Sequence, residues 1–213
     1  MGHAFHLDGP DGGIAVVTFD QPGQKVNTLS RAVLHELEEL VGQLESRLDI
    51  EGLLLRSGKP GQFVAGADLN DLAALAQSGP DGVRAMLAQG QDLFSRIGHL
   101  PFPTVALIDG PCLGGGTELA LALDERIAAR TSQTTIGCPE IKLGLVPGWG
   151  GTQRLPRLIG LHAIEMICGG EPVPAERAAA LGLVFDAVPP ERLLDEGRRR
   201  LEDGQNHKQR IAL

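Results

Sequence analysis

Two glutamates in this chain sit beside backbone rich in glycine. Glu118 follows Gly114-Gly115-Gly116-Thr117. Glu140 follows Cys138-Pro139 and precedes a second glycine-rich loop, Pro147-Gly148-Trp149-Gly150-Gly151-Thr152. Glycine has no Cβ, so such a backbone turns tightly and approaches a ligand closely. A helix opening at Gly115 has amides without intrahelical partners, which can donate to a developing negative charge. A carboxylate beside them can act as an acid or base, and two carboxylates in one pocket can divide those roles if their surroundings separate their pKa values. The plainer reading is that Glu118 suits the dipole of its helix and that Glu140 is a solvated or capping residue. Local chemistry leaves both readings open. The glycine run fits neither GxGxxG nor GK[ST], so it is neither a dinucleotide fingerprint nor a nucleotide P-loop.

The elements that must position these residues can be read from the pattern of apolar residues. Thr104–Ile108 reads as a central strand that delivers the chain to Asp109-Gly110-Pro111 and the first glycine run. A helix from about Gly115 to Leu123 follows, then a strand over Arg126–Ala129. Upstream, Ile14–Phe19 and Gly52–Arg56 read as buried strands, without the alternation of a half-exposed sheet. Ser30 is positioned to cap a helix over Arg31–Arg47, with Val33, Leu34, Leu37, Leu40, Val41, Leu44 and Leu48 on one face. Asp68 can cap a following helix, and Asp81–Ile97 is a further amphipathic helix with an uncomfortable glycine, Gly90, at its middle. Thr152 opens a helix to about Ile159. Ala163–Cys168, Ala175–Leu181 and Glu191–Leu201 read as helices and Val184–Val188 as a short strand. The N-terminus around His3 and His6 reads as frayed, and the polar tail from Glu202 as loose or docked on a partner. Strands alternating with helices imply α/β architecture with a mostly parallel sheet.

Composition narrows the class of function. The 213 residues are 42% hydrophobic but only 3% aromatic, with no Tyr and one Trp, so the core is aliphatic. The net charge of −8 and pI near 5.2 argue against a general nucleic-acid or anionic-membrane surface. No apolar run approaches the ~20 residues of a membrane span. Cys112, Cys138 and Cys168 are far apart and show no metal-ligand spacing with His, so no metal is expected. They read as reduced, buried small side chains of a cytoplasmic protein.

Three linked segments carry a resemblance. They are Phe63-Val64-Ala65-Gly66-Ala67-Asp68, Gly110 to Ala120, and Pro139 to Leu155. In order and separation they resemble the crotonase (enoyl-CoA hydratase/isomerase) superfamily over about Ile14–Pro189. Arg154–Gly160 and Ala180–Val184 are most similar to the N-terminal part of multifunctional fatty-acid oxidation α-subunits. The resemblance implies a crotonase-like fold of repeated ββα units, with a core over residues 1–189 and a shortened C-terminal helix and tail over 190–213. It implies hydration of a 2-trans-enoyl-CoA to the 3-hydroxyacyl-CoA, with 3-enoyl to 2-enoyl isomerisation or a non-catalytic acyl-CoA-binding module as alternatives. The amides of Ala67 and Gly115 would form the oxyanion hole and Glu118 and Glu140 the catalytic pair. Lys25, Val26, Ala65, Asp68, Leu69, Gly114 and Gly148 would line the CoA and substrate path.

Coenzyme A would arrive with the substrate, and no separate cofactor is expected. NAD would be needed only by a dehydrogenase domain following this chain. The implied partners are an acyl-CoA thioester and either a homo-oligomer or a thiolase-containing complex. The chain stops where superfamily members continue into helices that cover the site, so bare apolar surface is expected near the end. Trp149 stands where members often have a smaller residue. Its indole either narrows the acyl pocket or packs outward over the loop.

Overall fold

The structure is a computed structural model that describes residues 2–203. Six strands form the main sheet, in the order β1 (Phe5–Asp11), β2 (Ile14–Phe19), β3 (Gly52–Ser57), β4 (Thr104–Ile108), β6 (Glu125–Ala129) and β9 (Asp186–Val188). β1 pairs antiparallel with β2, and every later pairing in this sheet is parallel. A three-stranded sheet stands beside it, made of β5 (Cys112–Leu113), β7 (Thr135–Gly137) and β8 (Val173–Pro174).

Each parallel step needs a crossover, and helices supply it. α1 (Arg31–Leu44) links β2 to β3. α2 (Leu69–Gln77) and α3 (Gly79–Gly98) lie between β3 and β4. α4 (Gly115–Ala122) follows β5 and leads to β6. A 3₁₀ turn over Pro139–Leu143 follows β7. α5 (Gly151–Ile159), α6 (His162–Cys168) and α7 (Ala175–Ala180) precede β9, and α8 (Leu193–Asp203) comes last.

Both faces of the central strands β2, β3, β4 and β6 are covered, which is why these strands do not alternate. Ala15, Val17, Phe19, Leu53 and Leu55 pack toward α1, α3 and α4. Ile14, Val16, Leu54, Val105, Leu107 and Ile127 pack on the other face with Leu193 and Leu201 of α8. Gly197 lets α8 approach closely: a Cβ there would lie 2.6 Å from Leu107 Cδ2.

Several expectations need correction. The segment around His6 is not frayed; it is β1, held by pairing of His6 with Thr18 and Leu7 with Val17. Leu48 lies beyond the end of α1 and is 97% exposed. Cys112 and Cys138 are buried, but Cys168, at the end of α6, is exposed. Glu202 and Asp203 belong to α8 rather than to a loose tail, and the rest of that tail lies outside the described residues. Ser30 caps α1 as expected, its hydroxyl accepting from the Val33 N–H at 3.3 Å. Among the described residues no helix is long and apolar enough to cross a membrane.

Candidate active site

Glu118 is placed by close backbone packing. Gly114, at φ +53°, turns the chain from β5 into α4. Gly116 then packs against the strand-like segment 63–65, where a Cβ would lie 2.8 Å from the Val64 Cβ. The Glu118 side chain, 2% exposed, points at the loop before α5. There its Oε1 accepts two backbone N–H bonds, from Trp149 at 2.7 Å and Gly151 at 2.8 Å. Gly150 makes this wrap possible at φ +117°, a conformation that L side chains rarely adopt. Burial pushes the Glu118 carboxyl up to about 7, against the pull of the Gly151 and Trp149 amides, and the charge of Glu140 adds to the rise.

Arg154, on α5, fixes this loop from behind. Its Nη1 donates to the Trp149 carbonyl at 3.0 Å and its Nη2 to the Phe94 carbonyl at 3.3 Å. Burial lowers the pKa of this guanidinium, while the Glu118 charge holds it up.

Glu140 stands on the 3₁₀ turn after β7. Its Oε1 faces Gly114, where a Cβ would come within 2.9 Å of it. Its Oε2 is buried and has no hydrogen-bond partner among the described residues. Burial raises its pKa too, against one bond from its own backbone. A buried carboxylate oxygen without a protein partner is costly, which marks Glu140 as a candidate functional group.

The third component is backbone. Asn27 is fully buried and ties three segments together. Its amide nitrogen lies 2.8 Å from the Phe19 carbonyl, 3.0 Å from Ser57 Oγ and 3.2 Å from the Phe63 carbonyl, and its Oδ1 accepts from the Gln21 N–H at 3.0 Å. The segment 27–29 then pairs with 65–68: Ala65 N–H donates to Asn27 O, Leu29 N–H to Gly66 O, and Asp68 N–H to Leu29 O. In a parallel bridge of this kind, the N–H of the central residue points away from its partner strand. That residue is Ala67, which is bridged to Leu29 and lines a cavity with Glu118 and Glu140; its amide points away from segment 27–29. Gly66, at φ +108°, carries it close to the start of α4: a Cβ on Gly66 would lie 3.9 Å from the Gly115 nitrogen.

These groups meet in one cavity of about 480 Å³. Ala65, Ala67, Gly114, Gly115, Glu118, Glu140 and Gly148 all line it, with Trp149. Other sequence candidates lie elsewhere. Lys25 and Val26 are on the loop after β2 and do not line the cavity. Asp68 caps α2, its Oδ1 accepting from the N–H groups of Asn70 and Asp71, and lines a small neighbouring crevice. Leu69 opens α2; its side chain lies outside the described part. Trp149 does not pack outward: it is 4% exposed and forms cavity wall.

Sequence reading missed the amide clamp on Glu118, the Arg154 brace, the Asn27 hub and the α3 residues Val83, Met86 and Leu87 in the cavity wall. Only Asn27 had a sequence signal, a polar residue between apolar stretches. Nucleophilic cysteine chemistry does not suit the site, because burial pushes the Cys112 thiol up to about 12 and raises that of Cys138 as well. Among the described residues no group of three His, Cys, Asp or Glu side chains could hold a metal.

Comparison with known proteins identifies the family and the fold. The family model described as enoyl-CoA hydratase/isomerase matches residues 9–212. The fatty acid oxidation complex subunit alpha of Vibrio parahaemolyticus is 44% identical over 204 residues, covering 95% of this chain and 29% of that protein. That of Vibrio cholerae is 46% identical over 213 residues, covering 99% and 30%. The chain thus spans under a third of the length of these relatives. Among solved structures, an enoyl-CoA hydratase from Bacillus anthracis superposes with a TM-score of 0.85 at 34% identity, covering 94% of this chain and 76% of that one. Pseudomonas aeruginosa DspI gives 0.84 at 33% identity, covering 95% and 74%. The α/β fold is therefore crotonase-like, as the sequence resemblance implied, and the chain belongs to the enoyl-CoA hydratase/isomerase family.

Proposed function

We propose that this chain hydrates 2-trans-enoyl-CoA thioesters to 3-hydroxyacyl-CoA, as a β-oxidation enzyme. One observation carries the reading: two carboxylates, both raised in pKa by burial, reach a single cavity beside the Ala67 and Gly115 amides. Adding water to an α,β-unsaturated thioester builds enolate charge on the carbonyl oxygen. Two fixed N–H donors stabilise that charge, at ~3 kcal/mol per donor. Glu118 uses Oε1 for the amide clamp and offers Oε2 to a water. It orients the water and accepts its proton as oxygen bonds to C3. Glu140 delivers a proton to C2. The net change adds the elements of one water across the double bond, with no redox step. A carboxyl with a pKa about 7 is matched to proton transfer near neutral pH.

Isomerisation of 3-enoyl-CoA to 2-enoyl-CoA is a second capacity of the same site. One carboxylate is enough to carry a proton from C2 to C4, and Glu140 lines the cavity where it could do so. Our reading gives the chain coenzyme A thioesters as partners and a cytoplasmic location. Work with a thiolase-containing complex, or NAD-dependent oxidation of the product, would call on chain beyond the residues described here.

The test is to mix the chain with crotonyl-CoA and follow loss of the enoyl-thioester absorbance, identifying the product by mass. A gain of one water supports the proposal. Unchanged crotonyl-CoA together with measurable thioester binding would leave only the non-catalytic binding module.

A further inference from the structure

Trp149 belongs to the buried part of the cavity wall. Ala65, Leu143, Leu145 and Val146 at the rim are exposed, whereas Gly115, Glu118 and Trp149 are buried. The indole spans the gap between two helices. Its Cζ3 edge rests on α4, where a Cβ on Gly115 would lie 2.7 Å away. Its Nε1 edge rests on α3, where a Cβ on Gly90 would clash with the five-membered ring, 2.7 Å from Cε2 and closer still to Nε1 and Cδ1. Gly90 is one and two turns along the same α3 face from Leu87 and Val83, both in the cavity wall. Gly90 leaves a notch in that face, and the indole fills it. The ring is also braced edge-on by Phe94, with centroids 5.6 Å apart.

Beside the indole lies a second, much smaller crevice, whose wall combines Leu29, Leu34 and Leu72 with the polar Arg31, Asp68, Asp71 and Gln89. It shares Ala67, Leu72, Met86 and Trp149 with the main cavity, so Trp149 is part of the wall between them. The Trp149 Nε1 is buried without a partner among the described residues. A phenyl ring would fill much of this place with no orphaned donor, so bulk, not hydrogen bonding, is what the indole contributes.

We propose that Trp149, seated in the Gly90 notch, is the depth stop of the acyl site and sets the longest acyl chain that fits. This rests on the acyl-CoA reading of the same cavity. With the thioester oxygen at Ala67 and Gly115, carbons beyond C3 run toward the α3 wall and meet the indole. Trimming the indole removes its bulk from the end of the acyl site and opens it toward this crevice, which admits a longer chain. Adding a methyl group at Gly90 drives the indole into the cavity and shortens it.

The experiment measures Kd by calorimetry for free CoA, butyryl-CoA and dodecanoyl-CoA with wild type, Trp149→Ala, Trp149→Phe and Gly90→Ala. Saturated thioesters read binding without turnover. Trp149→Phe keeps a ring against Phe94 and guards against loss of folding in Trp149→Ala. The preference for dodecanoyl- over butyryl-CoA is expected to rise at least ~10-fold in Trp149→Ala, less in Trp149→Phe, and to fall in Gly90→Ala. An unchanged preference in Trp149→Phe and in folded Trp149→Ala overturns the depth stop while leaving the acyl-CoA reading intact. Failure of the wild type to bind either thioester more tightly than free CoA overturns that reading, and the depth stop with it.

Discussion

Glu118 carries a measurable consequence of its burial. Its carboxyl moves from an ordinary 4.5 to about 7 in the folded chain. The folded state therefore binds more protons than the unfolded state between those values. Stability from this group is fully present below pH 4.5 and is lost as pH rises through 7. The difference is worth about 3 kcal/mol. Glu118→Gln removes the titration and should flatten the profile. We expect the loss of unfolding free energy between pH 5 and pH 8 to be about 2–3 kcal/mol smaller in the variant, read from urea melts at the two pH values. Equal pH dependence in both proteins would mean that Glu118 is not held in a desolvated site. Arg154 gives a second prediction at this scale. Arg154→Ala removes two bonds from a buried guanidinium and frees the Trp149 carbonyl, so it should cost about 2–3 kcal/mol in a denaturant melt. It should also lower turnover, because the Trp149 N–H that orients Glu118 belongs to the released loop.

The elements around the site depend on backbone contacts that sequence expresses unevenly. α1, β2 and β4 were legible because long apolar runs or a helical period with a serine cap leave few alternatives. β1 was not: Phe5-His6-Leu7-Asp8-Gly9-Pro10-Asp11 is half polar, and an edge strand is defined by its partner β2 rather than by its own residues. β5 and β8 have two residues each, too few for any period, and are defined by their pairing with β7 and, for β5, by a bridge from Cys112 to Val64. Gly116 tests the packing of α4 on segment 63–65. Gly116→Ala would push a methyl group into Val64, separating the Gly115 amide from Ala67. We expect weaker thioester turnover from a chain that still folds. Asn27→Ala removes the hub that ties β2, β3 and this segment. It should cost about 2–4 kcal/mol in thermal or urea unfolding, from several buried partners left unsatisfied. A loss under 0.5 kcal/mol would show that the three segments hold their positions without it.

At the scale of the molecule, α8 closes the second face of the sheet, and Leu201 packs on Gly52 and its neighbours. Leu201→Ala should lower stability by about 3 kcal/mol with an unchanged denaturant slope. The whole fold also explains why the two glutamates were visible in sequence and their surroundings were not. The glycines beside them are needed for close backbone approach and leave a residue signature. The amides of Trp149 and Gly151 and the orientation of Ala67 are properties of backbone placed by distant strands, and no side-chain type marks them; Gly90 is visible as a glycine within a helix, but the indole that seats on it is not. What the fold achieves is the meeting of Glu118 on α4 and Glu140 on the turn after β7 in one cavity. The most direct test is the hydration rate of crotonyl-CoA by wild type, Glu118→Gln and Glu140→Gln, with butyryl-CoA affinity measured alongside. Each substitution is predicted to lower the rate at least ~100-fold while affinity stays within about threefold, the pattern of lost acid–base catalysis. Rates within tenfold of wild type in either variant would contradict the assignment of the pair.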